Sequence, residues 1–475
     1  MDRLNQSLGT NFWTWSISYL YCGMRALDKD ILLIAVPSIL ANITVPLVGI
    51  ADIAVAGHLD ASAAALIGGI SIGTMLFDLL YWSFEFLRIG TGGMTAQAYG
   101  RGDWKESSGI LAKGIAFALA AAVIVLFLQL PFVKLIFLFT ECSDEVKELA
   151  LEYFFVRIWA SPATLSLMSV KGWFIGMQDS VSSMFTDLVV NGVNVAASIF
   201  LALGVPGIGF GGIGFVGIAW GTVIAQYSGL IFSFAMVFLK HRDVVRDRIS
   251  FRGLADSIKG GELRRFMTMN ADLFIRSLCL IVIYISTTLI SARFGDLLLA
   301  SSSIMMHLLM IFSYFTDGFA FSGEAICGRY YGSGDFVAID ATVKRTFLWS
   351  MGVGGMFIAI YAVAGVPLLH MMTSDSAVAE TSKQFLPWLV IVPIVGAPAF
   401  TWDGIYTGLT ATKGMRNSAM GSVAAFYLVW CIGISLLDVS GAMSVHLLLA
   451  AYFAHLIYRS AYQTFKYRQI FRQRS

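Results

Sequence analysis

The chain has 475 residues, of which 57% are hydrophobic and only 13% charged, with a mean hydropathy of +0.75. A soluble domain carries about 25% charged residues, so that class is excluded and a polytopic helical membrane protein is indicated. A net charge of +2 does not point to nucleic acid, and five single cysteines without a CxxC pair offer neither a disulfide framework nor a metal site.

Taking the chain in order, Phe12 to Met24 is apolar and aromatic but too short to cross a bilayer, and no small-residue cleavage site follows it. Residues 1–29 therefore read as an interfacial segment. Twelve candidate spans follow, at about 31–57, 66–94, 109–139, 147–174, 181–203 and 213–239, then 264–292, 298–327, 346–371, 379–408, 418–437 and 442–464. Gly-rich and polar connectors such as YGRGD (99–103) separate them.

The first span, Pro37 to His58, holds one ionisable residue away from its ends, Asp52. A bare carboxylate at that depth is costly, and such acids often lie on an ion or proton path. Pro37 and Pro46 each remove a backbone donor and tend to bend the helix. Together they suggest a moving, protonatable element. The plainer alternative is an acid that hydrogen-bonds a neighbour near the membrane edge.

Lys and Arg concentrate on one set of loops: Arg101 and Lys105, the run from Lys240 to Arg265, Lys344 and Arg345, Lys413 and Arg416, and the tail from Lys466 to Arg474. The positive-inside rule places that side, and both termini, in the cytoplasm. The chain also repeats itself. Tyr99-Gly-Arg-Gly-Asp-Trp104 returns as Tyr331-Gly-Ser-Gly-Asp-Phe336, an offset of 232 residues (331 less 99), and Gly176 and Gly408 are the same distance apart. The expected fold is all-α, with twelve transmembrane helices in two six-helix lobes related by a pseudo-two-fold axis along the membrane normal. The lobes are expected at 30–240 and 263–465, joined by a cytoplasmic loop at 241–262 and followed by a basic tail at 466–475. Such paired bundles suit alternating access.

At this point the sequence resembles the multidrug and toxic compound extrusion (MATE) family, and within it the DinF-like branch. The resemblance spans about residues 30–465. It rests on PLVGIADIAVAGHL in span one, FLRIGTGGMTAQAYG after span two, GWFIGMQDS after span four and GIAWGTVIAQY in span six. NADLFIRSLCL in span seven and YFTDGFAFSGEAICG in span eight complete it. It implies a cation-coupled exporter, with Asp52 as the proton-responsive acid of the first lobe and Pro37 at the bend. Asn194 and Thr222 match residues of the same pocket. Where the family has a second acid, four residues after Asn194, this chain has Ser198. One carboxylate is lost and the number of ions moved is put in doubt. Asn191, one turn earlier, is expected to add to the pocket; the alternative for these polar residues is helix-to-helix hydrogen bonding.

In the second half, Asp272 and Arg276 are spaced to pair on one helix face, and Asp317 and Glu324 lie two turns apart on another. They read as a polar cluster, either a cation or proton site or a structural ion-pair network. Glu85 and Arg88 are expected to pair, Lys171 and Asp403 hold equivalent repeat positions that suggest an inter-lobe contact, and Trp173, Phe174 and Met177 suggest a vestibule wall.

The leading function is a secondary antiporter exporting organic, often cationic or amphiphilic, compounds in exchange for protons or sodium from a bacterial inner membrane. A flippase for a lipid-linked precursor is the alternative; it would want a cationic cavity. HExxH and GxxxxGK[ST] are absent, so neither metallopeptidase nor ATP-driven chemistry is indicated. No cofactor, metal or nucleic-acid partner is expected. The expected partners are the lipid bilayer and small organic substrates, with the chain a monomer.

Overall fold

A computed structural model describes the backbone of residues 2–59, 63–138, 140, 142–204, 209–245, 261–373, 375–437 and 439–472, and the side chains of these apart from 2–25, 63–64, 261–262 and 471–472. The first lobe comprises α1 (Asp2–Gly57), α2 (Ala63–Ser83), α3 (Phe86–Arg101), α4 (Trp104–Phe137), α5 (Asp144–Arg157), α6 (Ser161–Gly176), α7 (Ser180–Leu203) and α8 (Phe215–Lys240), with a short α9 (Arg242–Val245). The second comprises α10 (Gly261–Ala292), α11 (Asp296–Ser333), α12 (Phe336–Met372), α13 (Ser376–Lys383), α14 (Leu386–Gly408), α15 (Thr412–Leu436) and α16 (Ala442–Arg472).

These helices make twelve spans in two six-span lobes. Ten helices among the described residues are long and apolar enough to cross a membrane. The other two spans are the fourth, interrupted by a 3₁₀ turn at Ile158–Ala160, and the twelfth, α16. Spans four and ten restart at α6 and α14, each with a proline in its first turn (Pro162, Pro387), where a missing N–H costs nothing. The backbone is helical from Asp2 onward, and α1 runs unbroken through Pro37 and Pro46. The interfacial segment expected over 1–29 falls, as far as residue 25, outside the described side chains. Most of the 241–262 loop and the end of the basic tail also lie outside the described residues.

The repeat is visible in atomic detail. Asp103 caps α4 by accepting from Glu106 N at 2.9 Å, and Asp335 caps α12 by accepting from Ala338 N at 3.0 Å. The preceding Gly102 (φ 68°) and Gly334 (φ 79°) close α3 and α11 in the left-handed conformation, which glycine adopts without strain. Within each lobe the same close approach recurs: Gly172 packs on the carbonyl of Arg88, Gly404 on that of Ala320. Small residues at such crossings let membrane helices gain packing contact, since lipid gives helices no hydrophobic drive to associate.

The lobes meet at the end that carries the loops 99–104 and 331–336, here called the terminal end. Gly100 packs on the carbonyl of Arg329 and Gly332 on that of Gln97, each the other's counterpart under the repeat. Gln97 Nε2 donates to Gly408 O (2.9 Å) and Thr410 Oγ1 (3.0 Å), while Arg329 Nη1 donates to Gln178 Oε1 (2.8 Å). The first part of α1 joins this seam. Asp30 pairs with Arg329 (3.1 Å), Asp28 accepts from Trp349 Nε1 (3.1 Å) and Asn42 Nδ2 donates to Tyr314 O (3.2 Å). The same part also touches its own lobe, at Leu33 O, which accepts from Ser180 Oγ; past Asn42 the hydrogen bonds of α1 go to its own lobe.

Candidate functional site

Asp52 lies on that later part of α1 and is only 5% exposed. Ser198 Oγ donates to its Oδ1 at 3.2 Å. Ser198 and Asn194 share one face of α7, being four residues apart, and Gly221 lets α8 approach against the backbone of Ser198. Asn194 Nδ2 then donates to Thr222 Oγ1 across that contact at 2.9 Å, while its buried Oδ1 has no hydrogen-bond partner. The four residues Asp52, Asn194, Ser198 and Thr222 thus form one pocket. Asn191 stands apart: its Nδ2 donates to Thr44 Oγ1 at 2.6 Å, two turns of α1 before Asp52, and ties α7 to α1 there.

Sequence reasoning missed the cation beside this pocket. Arg157, at the end of α5, donates to Tyr153 OH at 3.0 Å, lies over the Phe77 ring at 4.7 Å and interacts electrostatically with both Asp52 and Asp78. The signal was available, because an arginine inside span four and an aspartate inside span two are each unusual at membrane depth. The Asp52 carboxylate therefore shares its pocket with one fixed positive charge. Among the described residues no group of three or more His, Cys, Asp or Glu is placed to hold a metal ion.

A second polar site is a cavity of about 350 Å³ between the lobes. Asp317 and Glu324 both line it from α11, as their spacing implies, and Arg276 and Asp403 line it from α10 and α14. Glu85 and Arg88 pair as expected at 2.6 Å, and Arg88 reaches across the seam to Glu324 at 3.4 Å.

The pairing expected of Asp272 and Arg276 does not form. Asp272 turns to α15, where it binds Arg416 at 2.6 Å and Thr412 at 3.2 Å. Arg276 instead joins Arg459 on Asp403, and Gln463 donates to the same carboxylate at 3.0 Å. Each charge finds a partner on a neighbouring helix, which i, i+4 spacing does not reveal. Lys171 and Asp403 do not meet either, since Lys171 pairs with Asp187 inside its own lobe at 2.7 Å. Trp173 and Phe174 are fully buried and Met177 is 6% exposed, so they are core and not vestibule. Trp173 Nε1 donates to Ser107 O at 3.1 Å. The stretch Gly69-Ile70-Ser71-Ile72-Gly73 fits the hydrolase pattern GxSxG. It lies inside α2, with Ser71 Oγ donating to Ile67 O at 2.8 Å, and lacks the strand-to-helix turn that exposes such a nucleophile.

Comparison with known proteins agrees with the two-lobed fold. The MatE family model matches residues 37–200 and 273–434. The chain is 31% identical over 405 residues to DNA damage-inducible protein F of Escherichia coli (strain K12), covering 84% of this chain and 85% of that one. It is 24% identical over 410 residues to the probable multidrug resistance protein NorM of Rhizobium meliloti (strain 1021), covering 85% and 84%. In fold it is similar to a solved outward-facing multidrug resistance MATE family transporter of the MOP superfamily, with a TM-score of 0.81, 14% identity and coverage of 94% and 97%. A family match over both repeats and a relative aligned along most of the chain give one conclusion: this protein belongs to the MatE family of membrane transporters.

Proposed function

We propose that the protein is a secondary antiporter that exports organic compounds in exchange for protons or sodium, by alternating access between its two lobes. The observation that carries the reading is that α1 bridges the two lobes. Its first part clasps the second lobe through Asp28, Asp30 and Asn42, and its later part sets Asp52 against Ser198 in the first lobe. Pro37 lies within the clasping part. Adding a proton or metal cation to the Asp52 carboxylate changes its charge and its hydrogen bond, which biases the position of the later part of α1. A shift at the proline transmits that bias to the clasp between the lobes.

In this reading the loops rich in Lys and Arg face the cytoplasm of a bacterial inner membrane, both termini lie there, and the seam at the terminal end closes the cytoplasmic side. The family resemblance supports export, and neither relative named above is described as a flippase.

The experiment is efflux of a cationic dye from vesicles under an imposed proton or sodium gradient, wild type beside Asp52→Asn. Dye movement driven by one gradient and lost in the variant supports the reading and identifies the ion. Full activity of Asp52→Asn, or no movement under either gradient, would overturn it.

A further inference from the structure

The inter-lobe cavity has two walls of opposite character. On one, Glu85, Glu324 and Asp317 face a single cation, Arg88. On the other, two guanidinium groups converge on a single acid. Arg276 and Arg459 both donate to Oδ2 of Asp403, leaving Oδ1 to Gln463. Arginine stays protonated in proteins and carries five donors. One carboxylate oxygen cannot saturate two such groups, and the triad keeps an excess of one positive charge. Arg459 is 4% exposed and Arg276 9%, and both line the cavity. Desolvation makes an uncompensated charge there costly, so an anionic ligand group that supplies the missing counter-charge gains more than it would in water. On the acidic wall Asp317 receives one long hydrogen bond, from Ser313 at 3.4 Å, while Glu324 is held between Arg88 and the backbone at Gly92.

We propose that this cavity binds dipolar organic substrates, with a carboxylate held by Arg276 and Arg459 and a cationic centre held by Asp317. Its volume suits a small organic molecule, and Trp82, Tyr284, Tyr314 and Tyr452 supply aromatic faces for the apolar part and the cation. The inference rests on the export reading above and adds to it a preference for a free acid group, which a plain organic-cation site would lack.

The test is binding of tetramethylrhodamine, which carries a cationic xanthylium and a free carboxylate, against its methyl ester, which is only a cation. Fluorescence anisotropy of the full chain in lipid nanodiscs, with empty discs subtracted, reads the affinities. The acid is expected to bind about fivefold or more tighter than the ester. Arg459→Gln should abolish that preference by weakening the acid alone. The double variant Arg459→Gln/Asp403→Asn, which returns the triad to one net positive charge, should regain it; this rescue separates charge recognition from damage to the fold. Asp317→Asn should weaken both dyes. Equal or tighter binding of the ester, a preference that survives Arg459→Gln, or no binding of either dye would overturn the inference. Gradient-driven efflux of the ester without an acid preference sinks this inference alone. An acid preference without gradient-driven efflux of either dye sinks the export reading alone.

Discussion

The hydroxyl of Ser180 donates at 3.0 Å to the carbonyl oxygen of Leu33. That carbonyl stands four residues before Pro37, whose ring nitrogen has no proton to give it. The vacancy left in α1 is thus filled from the first residue of α7, and the bendable point of α1 is tied to the first lobe. Ser180→Ala is expected to lower stability by about 1 kcal/mol. Pro37→Ala restores the backbone donor, so Ser180→Ala should cost much less in that background. Thermal unfolding of the two single variants and the double variant measures the coupling. Strict additivity would detach the serine from the proline.

At the seam, the missing side chains of Gly100 and Gly332 let each chain lie on the other's backbone carbonyl. An added methyl group has nowhere to go there. Gly100→Ala/Gly332→Ala is expected to part the lobes at the terminal end and reduce transport several-fold. Spin labels at Arg101 and Ser333 read the separation. An unchanged distance would mean that the seam yields locally.

Asp179 caps α7 from the turn outside the membrane spans, where Lys240 approaches it at 2.5 Å, His241 at 2.8 Å and Ser182 Oγ at 2.7 Å. Burial alone would raise its carboxyl, but the hydrogen bonds from His241, Lys240 and Ser182 outweigh that and hold it well below the usual carboxylate range. A group depressed in the folded state contributes stability above its unfolded pKa, near 4, and loses it as pH falls toward the folded value. Asp179→Asn should therefore be less stable than wild type at pH 7, by about 1 kcal/mol, through the weakened bonds to Lys240 and His241. The gap should shrink as pH falls below about 4. Unfolding temperatures of both proteins from pH 7 to pH 3 decide it; a constant gap would exclude the carboxylate as its source.

Trp173 makes a different case. Its indole is fully buried, so Trp173→Ala is expected to cost about 3–5 kcal/mol through the lost packing and the hydrogen bond to Ser107. A vestibule residue would cost far less and would alter dye affinity. Unfolding temperature and dye binding, measured side by side, separate the two.

How much of this was legible beforehand follows from what spacing can encode. The repeat was legible because glycine and aspartate at 100, 103, 332 and 335 serve backbone needs that recur with the backbone itself. The grouping of Asp52, Asn194, Ser198 and Thr222 was legible through the family resemblance and the shared face of α7. The partners of Asp272, Arg276 and Lys171 were not, because ion pairs between helices depend on the rotation of each helix, which one sequence does not fix. Trp173, Phe174 and Met177 were misplaced for a related reason. Aromatic residues at a span's end suit a vestibule as well as a core, and only their neighbours distinguish the two.

Glu324 is the repeat counterpart of Gly92, and in the folded chain its Oε1 lies against that glycine. Positions 92 and 324 therefore face each other across the axis that relates the halves. The space between them admits one glutamate and no more, and Arg88 is there to meet it. Two copies of the second half wound around the same axis would press two carboxylates into that space; two copies of the first would leave it empty. The halves share a plan but have ceased to be interchangeable, and this position alone is enough to make each depend on the other.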